Sequence, residues 1–217
     1  MAPWPCGIFL VEYIDLEKAI ASRTFRNPIL PGFYPDPSIC RAGEDYYLIT
    51  STFEYFPGVP LFHSRDLVHW RQLGHLLDRP SQLNLDGVEP SQGIYAPTIR
   101  YHDGCFYMVA TLRRPDNGGF QDDNFVVTAT DPAGPWSDPY LLVDTPGIID
   151  PSLFFDDDGR ACYTANMRIS DPPYAGYRDI WIQELDLERT ELKGDRTSTS
   201  SSDNAADFDY FEYAAQS

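Results

Sequence analysis

Asp36 and Asp150 each open an Asp-Pro-Ser run, and the residues after them follow a common pattern. Two carboxylates converging on one pocket can hydrolyse an acetal, one moving a proton to or from the leaving group and the other acting as base or nucleophile. The same residues also have a structural reading, because Asp and Pro are common where a turn feeds a strand. The chemistry depends on a fold that brings the two run-starts together.

Such a fold is written in an internal repeat. Asp36-Pro-Ser-Ile through Thr50, Ala96-Pro-Thr-Ile through Ala110 and Asp150-Pro-Ser-Leu through Thr164 align without gaps at their starts. Each reads x-Pro-Ser/Thr-Ile/Leu, then an acidic or Gly turn, then an aromatic-rich run. The turns Gly43-Glu44-Asp45, Asp103-Gly104 and Asp158-Gly159 have hairpin chemistry. Ala96 takes the place of the aspartate in the middle copy.

Each copy continues with two more strand patterns. These are predicted at Leu61–Ser64 and His69–Leu73, at Phe125–Thr130 and Tyr140–Val143, and at Ile180–Leu185 and Leu187–Lys193. Four short strands per unit of about 55 residues is the signature of a β-propeller blade. The fold class is therefore all-β, read as a propeller with about three blades; a generic sandwich is the alternative, since it too would give many strands but not this recurrence. A propeller directs the starts of its innermost strands at one axial pocket, which would bring Asp36, Ala96 and Asp150 together. The expected organisation is an unmatched extension at 1–24, with one helical pattern at Ile14–Ser22, a partial propeller at 25–196, and a Ser/Thr-rich acidic tail at 197–217.

Composition narrows the partners. A formal charge of −17 over 217 residues opposes nucleic acid, whose phosphates need clustered Lys and Arg, and opposes anionic membrane surfaces. Hydrophobic residues at 42% and aromatics at 14% are enough for a packed core. Cys6, Cys40, Cys105 and Cys162 are widely spaced and read as single thiols. The N-terminus has an apolar patch at Gly7–Val11 that Glu12 cuts short and no basic region before it, so no signal peptide is expected and the expected location is cytoplasmic or unknown.

Several longer motifs carry a resemblance. Asn27-Pro-Ile-Leu-Pro-Gly-Phe-Tyr-Pro-Asp-Pro-Ser38, Ser51-Thr-Phe-Glu-Tyr-Phe-Pro-Gly-Val-Pro60 and His63-Ser-Arg-Asp-Leu-Val-His-Trp70 are similar to glycoside hydrolase family 43. So are Gly93-Ile-Tyr-Ala-Pro-Thr-Ile-Arg-Tyr-His-Asp-Gly104 and Gly147-Ile-Ile-Asp-Pro-Ser-Leu153. The β-xylosidase and α-L-arabinofuranosidase members are most alike, over about residues 25–195. The resemblance implies a five-bladed propeller that cleaves xylan- and arabinan-derived oligosaccharides with inversion. It implies that Asp36 is the general base and that Asp150 orients the general acid and raises its pKa. It implies that Phe53 lines the sugar pocket, that Tyr95 stands where relatives usually have Trp, and that Ala96 lays its backbone against the sugar.

One element of the family pattern is missing. Its general acid is a Glu in a Glu-Gly-Pro-His-like motif, which has no match in these 217 residues. Glu184 and Glu188 match an outer strand of the third blade, and Glu212 sits in an unrelated Tyr-Phe-Glu-Tyr context. The resemblance thus describes a C-terminally truncated member that lacks its acid. A catalytically dead sugar-binding remnant and a non-sugar interaction scaffold are the alternatives. No cofactor is expected and no metal site is read in this chain; a channel calcium in full-length relatives would draw on blades absent here. His63, His69 and His75 read as exposed strand histidines, and Asp156-Asp-Asp-Gly159 as a hairpin turn and not a calcium loop.

Overall fold

A computed structural model describes residues 25–199. The chain divides into Met1–Pro31 and Gly32–Ser217. Of the first unit, residues 25–31 are described and are irregular. The expected extension at 1–24 with its helical pattern, Cys6, Glu212 and all but the first residues of the expected tail lie outside the described residues.

The second unit carries twelve strands in three four-stranded antiparallel sheets, each a simple meander. The first sheet is β1 (Ser38–Ala42), β2 (Asp45–Ile49), β3 (Gly58–Ser64) and β4 (Arg71–Leu77). The second is β5 (Gly93–His102), β6 (Cys105–Asp116), β7 (Gly119–Ala129) and β8 (Tyr140–Val143). The third is β9 (Ile148–Phe155), β10 (Ala161–Met167), β11 (Asp179–Asp186) and β12 (Glu191–Ser198). The all-β class and the three-unit repeat are as the sequence predicts.

Two strands start later than predicted. β4 begins at Arg71 because Ser64 and Asp66 build a turn: the Ser64 hydroxyl accepts the Asp66 and Leu67 N–H groups, and Asp66 Oδ1 accepts those of Val68 and His69. His69 therefore lies in a turn, its Nδ1 2.6 Å from Asp66 Oδ2, and not in a strand. His63 and His75 are in strands but half-buried, so the exposed-strand reading fails for all three. β12 begins at Glu191 because residues 187–190 form the preceding turn, with Asp186 Oδ1 accepting two of its N–H groups. It takes in Thr197 and Ser198, the first residues of the Ser/Thr run.

The sheets pack through period-2 alternation. Along β6, Phe106, Met108 and Ala110 join a core shared with Ile49, Leu61 and Leu76 of the first sheet. Val109 points the other way, into a second core with Leu153, Tyr163 and Trp181 of the third sheet. Val127 and Val126 of β7 divide in the same manner. A sheet buried on both faces lacks the apolar-in, polar-out pattern, and this explains the unbroken apolar runs Cys105–Ala110 of β6 and Phe125–Val127 of β7.

The first strands of the three sheets are neighbours. β5 packs on both β1 and β9. Ser38 Oγ accepts the Ile99 N–H at 3.1 Å, Thr98 Oγ1 donates to Pro151 O at 3.0 Å, and Arg100 donates to Leu153 O and Ser152 Oγ. The Ser/Thr of the repeat thus lace the inner strands side by side, so the three x-Pro positions lie at corresponding places along adjacent strands.

Candidate active site

Asp36, Ala96 and Asp150 share one backbone conformation. Their φ angles are 53°, 34° and 56°, all left-handed, and each precedes a proline. A residue before proline ordinarily takes an extended conformation, and a non-glycine residue in the left-handed region costs of order 1–3 kcal/mol. Asp tolerates that region better than most residues, whereas Ala has no such tolerance. A costly geometry thus recurs at three equivalent positions, two residues before β1, at the fourth residue of β5 and at the third of β9.

Asp36 is exposed and held from below. The Ser51 hydroxyl, itself 2% exposed, donates to Asp36 Oδ2 at 2.6 Å and accepts the Ala96 N–H at 2.8 Å. One buried hydroxyl therefore joins the first and second repeat positions.

An aromatic wall stands beside this pair. Phe53 (φ 50°) exchanges backbone hydrogen bonds with Ile94 at 3.1 and 3.0 Å. That approach requires glycine at position 93, where a Cβ would lie 2.2 Å from the Phe53 carbonyl oxygen. Phe53 meets Tyr95 edge to face at 5.6 Å and Phe33 at 6.0 Å. The Tyr95 hydroxyl donates to Ser91 O at 2.6 Å, which fixes the ring.

Asp150, also exposed, is held by side chains from the third sheet and the loop before β11. Asn166 Nδ2 donates to Asp150 Oδ2 at 2.7 Å. Arg178 donates through Nε to Asn166 Oδ1 and through a terminal nitrogen to Gly147 O at 2.5 Å. Burial lowers the Arg178 guanidinium from its ordinary value; Arg168 and Arg113 push the same way and Asp150 opposes. Arg113, half-buried, makes a two-pronged ion pair with Asp122 at 2.7 and 2.9 Å. Asp122 is 0% exposed and also accepts the Gly147 N–H at 2.7 Å. The turn leading into Asp150 is thus tied on both sides.

All five residues singled out in the sequence border these first strands or the segments bonded to them. Ser51, Phe33, Asn166, Arg178, Arg113 and Asp122 were not singled out. Ser51 and Phe33 fall within motifs noted above, whereas Asn166 and Arg178 carry no pattern of their own. Glu184 lies in β11 paired with Lys193 of β12 at 2.9 Å, and Glu188 is in the turn after β11. Among the described residues no group of three or more His, Cys, Asp or Glu side chains is arranged to hold a metal ion. The described residues thus offer no cage for the channel calcium that the resemblance gives to full-length relatives.

The family model of glycosyl hydrolases family 43 matches residues 25–212. The chain belongs to glycosyl hydrolases family 43. A xylosidase/arabinosidase of Butyrivibrio fibrisolvens is 57% identical over 171 residues, covering 77% of this chain and 32% of that protein. A non-reducing end α-L-arabinofuranosidase of Bacteroides ovatus is 54% identical over 152 residues, covering 69% of this chain and 28% of that protein. Among solved structures, a xylan β-1,4-xylosidase from Bacillus halodurans superposes with a TM-score of 0.73 at 46% identity, covering 83% of this chain and 34% of that one. A family 43 structure from a capybara gut metagenome gives a TM-score of 0.74 at 47% identity, covering 81% and 32%. This family 43 chain spans about a third of the length of the curated relatives it matches.

Proposed function

We propose that this chain carries the base and the sugar pocket of an inverting glycosidase site for xylo- or arabino-oligosaccharides, on three blades of a five-bladed propeller. The observation that carries the reading is the shared left-handed geometry at Asp36, Ala96 and Asp150 on adjacent first strands. The names of the relatives support the substrate class.

Asp36 is assigned as general base. It takes a proton from water, whose oxygen bonds to the anomeric carbon on the face opposite the leaving group. The bond from that carbon to the leaving oxygen breaks, and the leaving oxygen takes a proton from a general acid. Asp150 orients the acid and, as a like charge, keeps it protonated. The Ser51 hydroxyl, spent on Asp36, aims that carboxylate and leaves its second oxygen for water. Phe53 and Tyr95 present rings to the apolar face of a pentose, with the Ala96 backbone beside them.

The acid itself has no counterpart in these residues. Glu184 and Glu188 sit on and after the outer strand β11, away from the first strands. General acid–base assistance is worth about 10²–10⁴-fold, so the chain as given binds oligosaccharide without turning it over. The test is a fluorescence titration with xylobiose, together with assays on aryl β-xyloside and aryl α-arabinofuranoside. Saturable quenching that Phe53→Ala abolishes, without hydrolysis, is expected. Hydrolysis that disappears in Asp36→Ala overturns the missing acid, and absence of any quenching overturns the sugar pocket in favour of a scaffold.

A further inference from the structure

A cleft of about 330 Å³ lies next to the aromatic wall, lined by Arg113, Phe120, Asp122, Pro146, Gly147 and Arg168. Its charge is opposite in sign to that of the chain, which carries −17 overall. Both oxygens of Asp122 are consumed by Arg113, and one of them also by the Gly147 N–H. That carboxylate neutralises Arg113 and has little left to offer a ligand.

Arg168 differs. Its stem rests on Gly147, where an added Cβ would meet the Arg168 Cβ, Cγ and Cδ at 3.6 Å each. Its head is exposed, and among the described residues it has no hydrogen-bond or ion-pair partner. Arg178 adds a second positive charge near enough for the two guanidiniums to repel each other. An unpaired guanidinium with a second cation nearby attracts an anion, and its fork matches a carboxylate in particular.

The floor of the cleft suits a sugar ring. Phe120 is 46% exposed, and the Arg113 guanidinium lies 5.1 Å from its ring and 5.3 Å from that of Tyr95. Arg113 is thus sandwiched between the ring of the candidate sugar pocket and the ring of the cleft. A pyranose stacked on Phe120 would lie across the Arg113 guanidinium from a sugar held at Phe53 and Tyr95.

We propose that this cleft binds a sugar that carries a carboxylate, its ring on Phe120 and its carboxylate on Arg168. Its position next to a neutral-sugar pocket rests on the function proposed above, but the binding itself does not. The test is calorimetric titration of the full chain with glucuronate, glucose and acetate at low salt. Glucuronate is expected to bind saturably and at least about tenfold tighter than glucose or acetate, because a charge-assisted hydrogen bond separates it from the first and ring stacking from the second. Arg168→Gln is expected to weaken glucuronate about tenfold, and Phe120→Ala to weaken glucuronate without weakening acetate. Equal affinity for glucuronate and glucose, or no loss in Arg168→Gln, overturns the proposal. Acetate binding as tightly as glucuronate makes this a simple anion site and overturns it too. Xylobiose quenching of the unaltered chain is measured in parallel: if it fails while glucuronate binds, the neutral-sugar reading falls and the cleft stands.

Discussion

The Ser51 hydroxyl reaches Asp36 Oδ2 at 2.6 Å while accepting the Ala96 N–H at 2.8 Å, so the proposed base is tied to the backbone of the next sheet. A carboxylate on an exposed strand start would otherwise be free to rotate. Here one lone pair is taken, and the direction of the other oxygen follows from it.

Ser51→Ala removes the donor to Asp36 and leaves the Ala96 N–H without its acceptor. A lost buried hydrogen bond of this kind costs about 1–2 kcal/mol, which urea unfolding of the two chains would measure. Asp36→Asn, which keeps an acceptor for the Ser51 hydroxyl and the tolerance of a left-handed φ, is expected to cost less. If Ser51→Ala proves the milder of the two, the hydroxyl is not the tie described.

Gly93→Ala meets two obstacles at once. The position has φ +93°, and the new Cβ would fall 2.2 Å from the Phe53 carbonyl oxygen. The substitution is expected to cost more than about 2 kcal/mol and to weaken xylobiose quenching, since Phe53 must move. Gly74→Ala is the control, because a Cβ there meets nothing within 4 Å. Its expected change is within about 0.5 kcal/mol.

Much of the fold was legible because a strand repeat leaves a period that survives in the sequence. The x-Pro-Ser/Thr starts gave the three sheets, and the hairpin turns gave their first two strands. Strand ends were less legible: side-chain capping by Ser64 and Asp66 moved β4, and a turn after Asp186 moved β12. Asp36, Ala96 and Asp150 stood out through the repeat, and Phe53 and Tyr95 through the family resemblance. Asn166 and Arg178 did not, because the contacts that give them a role span 16 and 31 residues and leave no local signature.

Neighbouring residues on β9 test the two-faced packing of the third sheet. Leu153 is 1% exposed in the second core, whereas Phe154 beside it is 53% exposed on the opposite face. Leu153→Ala is expected to cost about 2–5 kcal/mol through lost burial and the cavity left behind. Phe154→Ala is expected to stay within about 0.5 kcal/mol. A cost for Phe154→Ala equal to that for Leu153→Ala would mean that something covers this face in solution.

The last prediction concerns acid. Burial holds the His75 imidazole below its ordinary value, with Asp78 opposing. The unfolded chain therefore binds this proton more readily than the folded one. Stability from neutral His75 is complete above the unfolded value of about 6.5 and is lost as pH falls from there toward the folded value. Asp45, Asp66, Asp138, Asp158 and Asp186, whose hydrogen bonds hold their carboxyls below the usual range, stay ionised through that window. Urea midpoints at about pH 7.5 and 5.5 should show a fall in the unaltered chain, and a smaller one in His75→Gln. An identical fall in both would show that burial of His75 is not its source.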